Sequence, residues 1–146
     1  MRYCVVIAFL FCLSIKITHA DTLEYIKIFN PDGVHLEYKV EVVSSLEDQA
    51  KGLMFRESLE LKEGMLFIFE NSKKASFWMK NTVIPLDIIF IKSDGSIDSI
   101  HQNLKPMSLS RVKSKLPVIA ALEISGGDVA KYKINENFYF GTNLIN

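Results

Sequence analysis

The sequence predicts a mainly β domain: a single compact antiparallel β-sandwich, jelly roll or small barrel of about eight short strands with one or two short helices. Three observations predict it. Apolar residues recur at every second position in several short runs, turn-forming residues punctuate those runs, and no helical stripe is long enough to cross over between parallel strands.

Residues 1–20 stand apart from that domain. Arg2 precedes an apolar stretch, and Thr18 and Ala20 occupy the positions where signal peptidase accepts small residues, which is the pattern of an export leader. The stretch is shorter than the ~20 residues of a membrane-spanning helix, so no integral membrane segment is expected after cleavage. The expected location is periplasmic or secreted. Both cysteines, Cys4 and Cys12, fall in this leader, and Phe11 stands where lipidation of Cys12 would need a small residue. Residues 21–146 then hold no cysteine, which excludes disulfides, thiolate nucleophiles and cysteine zinc sites from the domain.

The elements follow in order. Run 22–29 leads into Asn30, Pro31, Asp32 and Gly33, a turn in which proline presets one dihedral and glycine supplies a left-handed one. After it Val34, Leu36, Tyr38, Val40 and Val42 alternate with His35, Glu37, Lys39 and Glu41, the period of a half-buried antiparallel strand. Ser45 is placed to cap a short helix whose apolar face holds Leu46, Ala50 and Leu53, with Gly52 near its end. Strands are expected at 65–69, 75–80, 86–91, 96–102, 117–124 and 138–140, and the Asp94–Gly95 pair makes a hairpin of the third and fourth. Asp128 is expected to cap one further helical turn through Tyr132.

Four blocks of this chain, GLMFRESL at 52–59, EGMLFIF at 63–69, SFWMKNTVIPLDIIFI at 76–91 and ALEISGG at 121–127, resemble in order the blocks of the family catalogued as domain of unknown function 192. The resemblance runs over nearly the whole domain. It implies a compact, mainly β fold, often behind a bacterial signal peptide, and it implies no activity.

The residues themselves single out the stretch FWMKNTVIPLDIIF at 77–90. Both faces of run 86–91 are apolar apart from Asp87, so this strand is expected to be central and covered on both sides. A buried carboxylate needs a cation or several donors. Arg56, Lys80, Asn81 and Thr82 are the candidate partners, with Arg56 favoured because its planar fork holds a carboxylate by two bonds. Asp87→Asn is accordingly expected to cost less than Asp87→Ala. Trp78, the single tryptophan, reads as a core residue or as a platform for a flat ligand. The expected ligand site is therefore Arg56, Trp78, Lys80, Asn81, Thr82 and Asp87, around a corner where Pro85 interrupts strand pairing.

Glu123, inside VIAALEIS, is a second acid in an apolar run and reads most simply as a solvent-facing acid at a strand end. Were Asp87 and Glu123 to line one cavity, they would be the catalytic pair of a small glycan-acting hydrolase. That is the alternative to a non-enzymatic binding or accessory domain for an unidentified small molecule or glycan. Cofactor and phosphate-binding motifs are absent, and no cofactor is expected. A soft metal site would have to use His101 with Met107 or with Met54, Met65 and Met79, which read more simply as packing residues. No metal is expected.

With 17 basic and 17 acidic residues, and Arg2 and Lys16 among the leader's, the domain is slightly acidic, which argues against a nucleic-acid partner. Its one composition shift is 103–116, where Lys105, Arg111, Lys113 and Lys115 meet no acid. This reads as a long basic surface loop.

Overall fold

The computed structural model describes residues 22–141, so the leader and its cleavage site lie outside the described residues. The elements are β1 Thr22–Phe29, β2 His35–Val43, α1 Leu46–Lys51, β3 Glu63–Lys73, β4 Ser76–Phe77, β5 Leu86–Ile91, β6 Ile97–Leu104, β7 Val112–Lys113, β8 Val118–Ser125, α2 Asp128–Lys131 and β9 Tyr139–Phe140. The fold is mainly β. The two hairpins expected at the Pro31 and Gly95 turns are present as β1–β2 and β5–β6.

Seven strands form one sheet in the order β6-β5-β8-β3-β2-β1-β9, and β4 and β7 pair as a separate ribbon. The pairing is antiparallel except between β2 and β3, which run parallel from Lys39↔Glu63 to Val43↔Phe67. That parallel pair departs from the all-antiparallel expectation. The crossover needs no long helix, because residues 44–62, with only the six-residue α1 among them, carry the chain back.

The sheet curls until its edges meet. Ser96 and Tyr139 form an isolated bridge, and the Phe140 amide donates to the Gly95 carbonyl at 2.8 Å. A Cβ on Gly95 would stand 2.7 Å from the Phe140 carbonyl oxygen, so the turn glycine also permits the closure.

Alternation along the strands builds two cores. Ile26, Ile28, Tyr38, Val40, Leu66, Ile89, Leu122 and Ile124 fill the interior of the curled sheet. Val43, Met65, Phe67, Ile88, Phe90 and Ala121 point the other way and pack with Leu53, Ala75 and Met79, which come from the α1 and β4 segments. β5 is buried at all six positions, as its two apolar faces predict. Burying each such large side chain is worth roughly 1.5–3 kcal/mol.

Two local expectations change. The strand foreseen at 75–80 shortens to Ser76–Phe77, and its partner is β7, inside the segment expected to be a free basic loop. Residues 105–114 are laid along 75–82: the Met79 amide donates to the Ser108 carbonyl at 2.9 Å, the Met107 amide to the Thr82 carbonyl at 2.9 Å, and the Ser114 amide to the Ala75 carbonyl at 3.0 Å. The second helix is capped by Gly127 rather than by Asp128. Asp128 is the first residue of α2, and its carboxyl instead accepts the Tyr38 hydroxyl at 3.1 Å. Burial, with Asp128 beside it, raises that hydroxyl's pKa well above the ordinary tyrosine value.

Candidate functional site: a cavity over Glu123

Four acids are buried among the described residues: Asp87, Asp98, Glu123 and Asp128. Their hydrogen bonds sort them. Asp98 accepts the Lys115 and Leu116 amides at 2.7 and 3.0 Å, and Asp128 is met by Tyr38. Asp87, fully buried, accepts the Asn103 amide at 2.6 Å, the Val129 amide at 2.8 Å and the Gly127 amide at 3.1 Å. Glu123 makes no hydrogen bond among the described residues, and since no fully enclosed side-chain oxygen there lacks one, its carboxyl keeps some opening to the solvent side.

Asp87 is thus a brace. It ties the end of β6 to the turn that opens α2, and backbone amides meet its carboxyl in place of the expected cation. Arg56 lies elsewhere, with its guanidinium forked onto Glu41 of β2. The family block that places Arg56 near Gly52 in sequence says nothing of the strand it lands on. Gly126 completes the brace, since its amide donates to the Pro85 carbonyl at 2.9 Å and a Cβ there would stand 2.8 Å from Pro85 Cβ.

Asn81 is likewise structural. It adopts a left-handed φ of 55°, which asparagine tolerates, and its carbonyl accepts the Phe55 amide at 2.8 Å. Phe55 and Met107, at φ 65° and 61°, are also left-handed. All three belong to one knot of hydrogen bonds around the Asn81 corner, which holds strained backbone in place.

A cavity of about 420 Å³ opens beside this knot, between α1, the bulged end of β3 and the β4–β7 ribbon. Phe67 and Phe69 from β3, Phe77 from the ribbon, Trp78 just after it, and Leu53 from beyond α1 line it. Phe77 stands edge-on to Phe67, with centroids 5.0 Å apart. β3 loses register between Ile68 and Lys73, which swings Lys73 and Lys74 out to the cavity rim. α1 is held over it by Gln49, whose amide donates to the Ile68 carbonyl at 2.6 Å.

Of the expected ligand residues, the cavity takes Trp78 and Thr82. Lys80 lies over the Trp78 ring at 5.2 Å, and Arg111 at 4.3 Å. Arg56, Asn81 and Asp87 do not line it. The residues that sequence reasoning missed are Lys51, Lys73, Lys74 and Arg111 with the three phenylalanines, and only the basic run at 105–115 hinted at any of them.

The inner wall is Glu123. It is 5% exposed, it borders the cavity, and a methyl group on Gly52 would lie 3.8 Å from its Oε2. Burial alone raises its pKa from 4.5 to about 8. Register separates it from Asp87: Glu123 stands opposite Ile88 and Met65 on the outer face, whereas Asp87 stands opposite Ile124 on the interior face. The two acids therefore share no cleft, which corrects the geometry the hydrolase alternative required. Among the described residues no three His, Asp or Glu side chains gather to hold a metal. His101 contacts the Lys113 carbonyl at 3.2 Å, and Met65 and Met79 are packed in the outer core.

The sequence pattern of the family described as uncharacterized ACR, domain of unknown function 192, matches residues 27–138. The chain belongs to that family. Two solved structures share the architecture of this domain of unknown function 192 protein. A Sinorhizobium meliloti protein described as a candidate transcription regulator is 32% identical, over 84% of this chain and 95% of its own, with a TM-score of 0.81. A Novosphingobium aromaticivorans protein of unknown function is 35% identical, over 82% of this chain and 84% of its own, with a TM-score of 0.78. No curated protein matches the chain. Among the described residues no helix is long and apolar enough to cross a membrane.

Proposed function

We propose that this domain of unknown function 192 protein is an exported, non-enzymatic binding domain whose small-molecule site is the cavity over Glu123. One observation carries the reading: a carboxyl that is only 5% exposed makes no hydrogen bond among the described residues and borders a cavity large enough for a small ligand, within the roughly 300–1,000 Å³ usual for such sites. The other three buried acids are closed by backbone or tyrosine donors, so Glu123 is the one whose hydrogen-bonding capacity is left for a guest. Aromatic walls supply apolar area, and the β4–β7 ribbon forms the outer lip. The leader at 1–20 supports export. The regulator description of the Sinorhizobium protein is not carried over.

The test is a thermal-shift screen of the domain beginning at Asp21 against small organic acids, sugars and cell-wall fragments, since a ligand of the folded state raises Tm by mass action. Ala50 is exposed, lies on α1 and lines the cavity mouth, so Ala50→Trp should block entry without disturbing the core. A ligand that stabilises the parent and not this variant supports the site. Equal stabilisation of both places the ligand elsewhere and sinks the reading.

A further inference from the structure

The charge around the cavity is one-sided. Lys51, Lys73, Lys74 and Arg111 line it, and Glu123 is its one acid. None of the four cations pairs with a carboxylate among the described residues, where the ion pairs are Lys39–Glu63, Arg56–Glu41 and Lys115–Glu136. Two of them lie on aromatic faces instead. Lys73 Nζ is 4.3 Å from the Phe69 ring centre, and the Arg111 guanidinium is 4.3 Å from that of Trp78, contacts that hold each cation near the mouth without neutralising it.

Resting on the cavity reading above, we infer that the ligand is an organic anion with a flat apolar body, its charge among the four rim cations and an uncharged oxygen acceptor at its inner end taking a hydrogen bond from Glu123. The polarity follows from the depth of the groups. Exposure orders the lining: the four cations are exposed, Phe77 and Trp78 half-buried, and Phe67 and Glu123 buried. An amine ligand would fit the opposite way, ionising Glu123, and its charge would have to pass four unpaired cations.

The proton on Glu123 is part of the recognition. The charged groups that line the cavity with it are Lys51 from the end of α1, Lys73 and Lys74 from the end of β3 and Arg111 from the approach to β7, none of which moves its pKa; its neighbours on β3 and β5, Met65 and Ile88, are apolar. Desolvation dominates, so the carboxyl keeps its proton, and donates it in a hydrogen bond, until the pH approaches about 8. Affinity for such an anion is then about tenfold weaker at pH 9 than at pH 7, because the binding-competent form is diluted.

Four matched probes test this by calorimetry and Trp78 emission. 4-Acetylbenzoate has the anion and the acceptor, 4-ethylbenzoate only the anion, 4-methylacetophenone only the acceptor, and 4-acetylbenzylamine the acceptor with a cation. At pH 7 the first should bind about tenfold or more tighter than each of the others, Arg111→Gln should narrow its lead over 4-methylacetophenone, and Glu123→Gln should flatten its pH profile. Tightest binding by the amine overturns the anion assignment, and an affinity for 4-acetylbenzoate that does not change from pH 7 to 9 in the parent overturns the hydrogen bond from Glu123, each while leaving the cavity as the site. Silence from all four at millimolar concentration is the separate result that overturns the cavity itself.

Discussion

Asp87 and Glu123 stand on adjacent, hydrogen-bonded strands, one residue out of register, and that single step sends their carboxyls to opposite faces of the sheet. On the interior face Asp87 meets three amides, and on the outer face Glu123 meets a cavity. Two acids that look alike in sequence thus have different work. One joins backbone segments, and the other borders an open space.

Glu123 makes stability pH-dependent in a defined sense. The unfolded chain releases this proton near 4.5, and the folded protein near 8, so between those values the folded state binds the extra proton. The stabilisation of the protonated form is present at low pH and is lost as pH rises through the folded value. Glu123→Gln should therefore match the parent at pH 4 and exceed it by on the order of a few kcal/mol at pH 9. Urea denaturation across that range measures the gap. A gap that does not change with pH contradicts the assignment.

Asp87→Ala should destabilise by on the order of 3 kcal/mol, because three amides, that of Val129 buried, lose their acceptor. Asp87→Asn is expected to be nearly as harmful, contrary to what the sequence suggests. Gly127 donates to both carboxyl oxygens, Val129 to one and Asn103 to the other, so an asparagine NH2 must face an N–H donor whichever way it turns. Equilibrium unfolding of both variants decides it, and a mild Asp87→Asn argues against the amide brace.

Arg56→Lys removes the fork on Glu41 and should cost about 1 kcal/mol or less, since both side chains are partly exposed. Ligand-induced stabilisation should persist in this variant. A loss of ligand response would return Arg56 to the site.

Export gives the remaining prediction. Cleavage after Ala20 should release a protein beginning Asp21-Thr22, read from the intact mass of material recovered outside the cytoplasm. Retained leader mass, or an added lipid, would contradict it.

The strands were legible in the sequence because period-two alternation and turn chemistry act over a few residues. β1 and β5 match their expected limits, and the Asp94–Gly95 hairpin forms as its residues demand. Burial of Asp87 was legible too, since it interrupts a run that is apolar on both faces, whereas Glu123, read as a solvent-facing acid at a strand end, is buried instead. Partnership was not. Arg56 is drawn to Glu41 by the parallel pairing of β2 and β3, a contact between segments whose order in the sheet no local pattern encodes.

What the sequence determined by itself was the mainly β class, the turns, the two-faced β5 and the family, all consequences of side-chain type at fixed spacing. Tertiary structure alone decided where chemistry is possible. The crossover through α1, the register slip at the end of β3 and the docking of 105–114 along 75–82 together roof a space beside Glu123. A cavity is a relation among segments distant along the chain, set by register and packing, and so it leaves no periodic trace in any one of them.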